Sequence, residues 1–192
     1  MLKTNKYLQF IPNILTLLNA SCGIIAITIS VFHGEIYDVR QSTVRACYLI
    51  ALGAFFDCFD GKLARKFEVT SLIGKELDSF ADAITFVIAP TYVFLAMHTE
   101  VKSYIVFVEV IIMTFYIMCG VYRLARYNVT EFKPYFEGMP TTLAGFIFSF
   151  YIFISAYTVK MWHDSALYTV VSYGLIIFLG VAMVSTVKVK RI

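Results

Sequence analysis

Charge is scarce in this chain. Asp, Glu, Lys and Arg make up 15% of its 192 residues, while 59% are hydrophobic. Soluble domains carry about 25% charged and about 45–50% apolar residues, so a water-soluble globule is excluded and an integral membrane protein is expected. A net charge of +3 is too mild to signal a nucleic-acid partner. Also missing is any C-x-x-C pair. Cys22, Cys47, Cys58 and Cys119 fall in or beside apolar segments and read as small packed apolar residues rather than disulfide or metal ligands. Internal repeats and Ser/Pro-rich linkers are absent, which leaves one domain over residues 1–192. The first apolar run has no small-residue cleavage site after it, so it is expected to be a retained helix and not a signal segment.

What is present is a set of six apolar segments, approximately 12–32, 44–66, 73–97, 104–121, 141–160 and 166–187. Each can span a bilayer as a helix, the second only if it continues through an aspartate-containing stretch. The expected fold is an all-α integral membrane protein, a six-transmembrane-helix bundle. Leu2, Tyr7, Leu8 and Phe10, mixed with Lys3 and Lys6, add a short N-terminal interfacial helix. The bases sort by side. Twelve fall with the two termini, the 62–75 turn and the 122–140 connection, including Lys62, Arg65, Lys75, Arg123 and Arg126. Four fall opposite: Arg40, Arg45, Lys102 and Lys160. That asymmetry predicts both termini and the aspartate stretch on the cytoplasmic side of the cytoplasmic membrane. His33, His98 and His163 fall on the other side, which argues against a histidine base acting with the aspartates. Trp162 and Tyr168 flank the last outer turn and read as interface anchors.

The aspartates are Asp57, Asp60, Asp78 and Asp82, within FFDCFDGKLARKFEVTSLIGKELDSFAD. At roughly 100° per residue, Asp60, Gly61 and Ala64 lie within about 60° of Asp57 on one helix face. Cys58 points away from that face. Gly74, Asp78 and Asp82 recur at four-residue spacing and form a second stripe, on a helix for which Thr70 or Ser71 serves as N-cap. A turn between the helices lets the stripes face each other. Four carboxylates in an apolar setting cost on the order of 10 kcal/mol uncompensated. Hard oxygen ligands without His or Cys select Mg²⁺, Mn²⁺ or Ca²⁺ over Zn²⁺, and two divalent ions balance four carboxylates. Paired metals of this kind handle phosphoryl groups. Gly61, Ala64 and Gly74 either let helices pack closely or leave room for a ligand. Arg65 either anchors the membrane surface or offers a donor fork to phosphate.

Written as D-x₂-D-G-x₂-A-R-x₈-G-x₃-D-x₃-D, the stretch resembles the signature of the CDP-alcohol phosphotransferase family without departure, with eight residues fixed over 26 positions. KELDSFADAITFVIAP, IPNILTLLNASCGIIAI, RLARYNV and GMPTTLAG are similar to that family's phosphatidylserine synthase branch. The resemblance implies transfer of a phosphatidyl group from CDP-diacylglycerol to L-serine with release of CMP. It also implies six transmembrane helices and a homodimer among membrane lipids. It implies Asp57, Asp60, Asp78 and Asp82 as ligands to Mg²⁺ or Mn²⁺, with Asp82 also the general base. Gly61, Ala64 and Gly74 would make room for the nucleotide, and Arg65 would hold the diphosphate.

Beyond the motif, Asn13 and Thr16 lie near the start of the first helix, where they can reach the nucleotide or serve helix capping and interhelical hydrogen bonding. Arg123 and Arg126, with Asn128 just beyond, can meet the serine carboxylate or a lipid phosphate, or act as plain surface anchors. Two rivals remain. Glycerol 3-phosphate or inositol phosphate is the alternative acceptor, but either demands more bases for a second phosphate. A cation transporter would distribute acidic residues through the membrane depth, whereas these cluster at one surface.

Overall fold

In lipid every backbone polar group needs an internal partner, so apolar runs of about 20 residues close into helices. The computed structural model describes residues 10–32, 38–67, 71–97, 103–129, 135–162 and 166–190. It is helical throughout, apart from two three-residue strands. The elements are α1 (Phe10–Val31), α2 (Val39–Lys66), α3 (Leu72–Asp82), a π-helical segment (Ala83–Ile88), α4 (Ala89–Met97), α5 (Ser103–Val129), β1 (Tyr135–Glu137), α6 (Thr141–Trp162), α7 (Ala166–Val184) and β2 (Lys188–Lys190). Among the described residues, six helices are long and apolar enough to cross a membrane, with α3, the π segment and α4 running in series as the third. Of the expected interfacial helix, Phe10 opens α1, while its other residues fall outside the described residues, as do Thr70 and the three histidines.

Several expected boundaries move outward. The second helix has 28 residues, about 42 Å at 1.5 Å per residue, against an apolar slab of about 30 Å. It is therefore longer than the slab. The fifth helix runs on to Val129, so Arg123 and Arg126 sit on helix rather than in a connection. Ser71 is the N-cap of α3: its hydroxyl accepts from the Gly74 amide at 2.9 Å. Cys58 is exposed rather than packed within the protein, while Cys22, Cys47 and Cys119 are buried free thiols. Tyr168 is half-buried, with its ring stacked 6.4 Å from that of Tyr151. It packs between α6 and α7.

The π segment was not anticipated. It lies at the centre of the bundle, and four other helices each bring a glycine against it. A Cβ on Gly23 would lie 2.9 Å from the Thr85 Cα, and one on Gly53 2.7 Å from the Thr85 methyl. One on Gly120 would meet the Val87 methyls at 2.7 Å, and one on Gly145 would run into the Phe86 carbonyl oxygen. A wider turn needs this clearance. The backbone is also bound by side chains: Tyr116 donates to the Phe86 carbonyl at 3.3 Å, and Thr85 donates to the Asn19 carbonyl at 2.9 Å. Below it the aromatic core closes, with Phe148 packed 5.6 Å from Phe94 and 5.3 Å from Tyr116. Because Gly145 faces backbone, which cannot swing aside, Gly145→Ala is expected to cost about 1–3 kcal/mol. Thermal unfolding in detergent measures this, and an unchanged midpoint would remove the steric reading.

Candidate active site

One end of the bundle gathers the polar side chains. There the start of α1, the end of α2 and the start of α3 meet. Thr16 donates to the Asp60 carboxylate at 2.9 Å while also bonding the Pro12 carbonyl at 3.0 Å. Asn13 lies against Gly74, where a Cβ would come 3.1 Å from its Oδ1. Close helix approach at Gly74 thus serves Asn13 and the Ser71 cap. Gly61 is different: a Cβ there would meet nothing within 4 Å, so the face beside Asp60 is open. Ala64 is half-buried on the same side. Arg65 is exposed and folds back so that its Nε donates to the Gly61 carbonyl at 2.9 Å, which places its guanidinium beside that opening.

Periodicity brings the two aspartate stripes together as expected. Asp57, Asp60 and Asp78 each offer a carboxylate oxygen within 4.8 Å of the others. Asp82 is one turn deeper and sits beside Asp57. Buried oxygens of both Asp78 and Asp82 have no hydrogen-bond partner among the described residues. Clustered carboxylates repel, and a buried acceptor without a partner costs about 1–3 kcal/mol. Orphaned oxygens on an all-carboxylate donor set suit a hard divalent cation, so the cluster can hold a metal ion.

Two further elements complete the site. From α6, Thr142 lies beside the Asp57 carboxylate. From α5, Arg123 lies close enough to Asp82 for their charges to interact, and its Nη1 donates to the Thr141 hydroxyl at 2.9 Å. Only 8% exposed, Arg123 is a buried cation at the edge of an acidic cluster. The other two residues expected beside the acceptor make different contacts. Arg126 donates to the carbonyls of Met183, Val184 and Ser185 at the end of α7. Asn128 joins α5 to α3 by donating to the Ser79 hydroxyl at 2.9 Å and the Glu76 carboxylate at 3.2 Å, while its carbonyl accepts from Lys75 at 2.8 Å. Sequence reading missed Thr141 and Thr142, although both sit in the quoted GMPTTLAG stretch. It also missed Asn19, a fully buried side chain one turn beyond Thr16 whose amide atoms have no partner among the described residues.

Fold and site together define a multi-pass membrane protein with a carboxylate centre able to hold a metal. The chain belongs to the CDP-alcohol phosphatidyltransferase family, which it matches over residues 9–186. Among curated relatives it is 36% identical over 139 residues to the CDP-diacylglycerol--serine O-phosphatidyltransferase of Bacillus subtilis, covering 72% of each chain. To the Saccharomyces cerevisiae protein of the same name it is 37% identical over 142 residues, 68% of this chain and 49% of the relative. It thus spans about half the length of the yeast protein. The archaetidylserine synthase of Methanothermobacter thermautotrophicus is 28% identical over 198 residues, 100% of this chain and 75% of the relative.

Proposed function

We propose that the protein transfers the phosphatidyl group of CDP-diacylglycerol to L-serine, releasing phosphatidylserine and CMP. The observation that carries this is the meeting of Asp57, Asp60 and Asp78 within 4.8 Å, in a chain whose relatives are named for serine transfer. Asp57, Asp60, Asp78 and Asp82 would hold Mg²⁺ or Mn²⁺, two ions by charge balance. Bound divalent cations neutralise a diphosphate and the charge on departing CMP.

The protein's own groups then have distinct tasks. Gly61 and Ala64 leave the open face that a cytidine nucleotide fills, and Arg65 at its rim donates to the diphosphate. Asn13 and Thr16 border the same space, with Thr16 also orienting Asp60. Asp82 takes the proton of the serine hydroxyl. The serine oxygen bonds to the lipid-side phosphorus as the bond to the CMP oxygen breaks, a direct transfer without a covalent enzyme intermediate. Arg123 beside Asp82 supplies the cation for the serine carboxylate, a demand that inositol phosphate or glycerol 3-phosphate would exceed. Clustering at one end of the bundle disfavours the cation-transport alternative, which needs carboxylates along the membrane depth. The twelve-to-four sorting of bases along the sequence, with the aspartate stretch on the richer side, argues for a cytoplasmic site and cytoplasmic termini. The whole of 1–192 acts as one catalytic domain, paired as a homodimer.

The test is a phosphatidyl-transfer assay on the purified protein with serine, glycerol 3-phosphate and inositol phosphate in competition. Serine is expected to be used, and Arg123→Ala to raise its KM by about tenfold or more, as loss of a charged hydrogen bond of roughly 1.5–3 kcal/mol requires. Preference for a phosphorylated acceptor would reject serine, and an unchanged KM would remove Arg123 from the acceptor pocket.

A further inference from the structure

Arg126 lies one turn from Arg123 and yet turns to a different task. The last carbonyls of a helix have no partner within it, and at the end of α7 Arg126 supplies one. Its Nη1 donates to Val184 at 2.9 Å, and its Nη2 to Met183 at 3.4 Å and Ser185 at 3.3 Å. Two of these carbonyls are also the seat of Gly138. That residue has φ +74°, and a Cβ on it would lie 2.6 Å from the Met183 oxygen and 2.8 Å from the Ser185 oxygen. Only glycine takes this backbone conformation without strain. Backbone hydrogen bonds fasten the same segment: the Gly138 amide to Val187 and the Met139 amide to Ala182, both at 3.0 Å. The antiparallel ladder of β1 with β2 continues the clasp, pairing Glu137 with Lys188 and Tyr135 with Lys190.

The clasp ends at the site. Pro140 follows Met139, and α6 begins at Thr141. Thr141 accepts from Arg123, and Thr142 lies beside Asp57. Two residues, Met139 and Pro140, separate Gly138 from Thr141, too short a connection to absorb a displacement. We infer that Arg126 is a positioning residue: by bracing the carbonyl end of α7 it seats residues 138–140, and through them sets Thr141 on Arg123 and Thr142 on Asp57. Arg126 then never touches the acceptor, contrary to the expectation from sequence. Only the kinetic part of the test below rests on the proposed phosphatidyl transfer.

Full-length Arg126→Ala, Arg126→Lys and Gly138→Ala chains, purified in nanodiscs, are compared with the parent in three ways: Mn²⁺ affinity by electron paramagnetic resonance without substrate, amide exchange at Gly138 and Met139, and serine kinetics. Loosening an outer partner of a metal-binding carboxylate weakens the metal by about tenfold or more. Arg126→Ala is therefore expected to raise the Mn²⁺ Kd by about that factor and to speed exchange at both amides. Arg126→Lys, a point charge in place of a fork, falls between. Adding Gly138→Ala to Arg126→Ala adds little, because both open one clasp. An acceptor ligand behaves otherwise: serine KM alone rises, with Mn²⁺ affinity and exchange at parental values. That result overturns the inference. If Arg126→Ala does not fold, Arg126→Lys carries the same three readouts. A parent chain that transfers nothing to serine defeats the proposed reaction alone. Should the parent bind no Mn²⁺ either, exchange at Gly138 and Met139 still decides the role of Arg126.

Discussion

Asp82→Asn is expected to lower kcat by about 10²–10⁴-fold, the usual worth of a positioned general base, while KM for CDP-diacylglycerol stays near the parental value. The amide keeps the size and the hydrogen-bonding shape of the carboxyl but cannot accept the serine proton at neutral pH. Position favours this residue over its three neighbours. Asp57, Asp60 and Asp78 form the mutual cluster, whereas Asp82 lies one turn deeper with an unpartnered oxygen and Arg123 beside it. A residue that serves only as a metal ligand would give a different pattern, in which excess Mn²⁺ restores most of the lost rate. Near-parental turnover in Asp82→Asn would reject the base assignment outright.

Complete removal of divalent ions is expected to take activity to background, with recovery on adding Mg²⁺ or Mn²⁺. The physical reason is the repulsion among Asp57, Asp60 and Asp78 and the lack of partners for buried oxygens of Asp78 and Asp82. The same reasoning makes the ion a stabilising ligand. At about a hundredfold excess over Kd, binding to the folded state alone adds about 2.7 kcal/mol. The thermal midpoint should therefore rise with Mn²⁺ in the absence of any substrate. Transfer that survives exhaustive chelation, with no shift of the midpoint, would falsify the metal centre.

Much of this was legible before the structure. Runs of about 20 apolar residues identify spans because lipid leaves the backbone no alternative to helix. The spacing of Asp57 with Asp60, and of Asp78 with Asp82, reveals a shared face because it follows the helical period. Other features depend on partners far away in the chain. The π segment reads locally as ordinary apolar helix. Its wide turn fits because glycines at 23, 53, 120 and 145 stand around it, and no local window contains them together. The ladder of β1 and β2 joins segments some fifty residues apart, each too short to signal a strand. Arg126 could not be separated from Arg123 by sequence, since both are basic and one turn apart on α5. What distinguishes them is that one faces Asp82 and the other the end of α7.

The π segment starts one residue after Asp82. A wide turn there amounts to a residue inserted into a regular helix, and each residue of offset swings one helical surface relative to the next by roughly 100°. The distance along the chain from Asp82 to Phe86 and Val87 is therefore as restricted as the spacing within the aspartate motif itself. Removing one residue from 83–88 would spare every motif residue. It would still leave either the carboxylates or the buried aromatic seat facing the wrong way. The restriction on length in this protein should therefore run past the last aspartate, through residues 83–88.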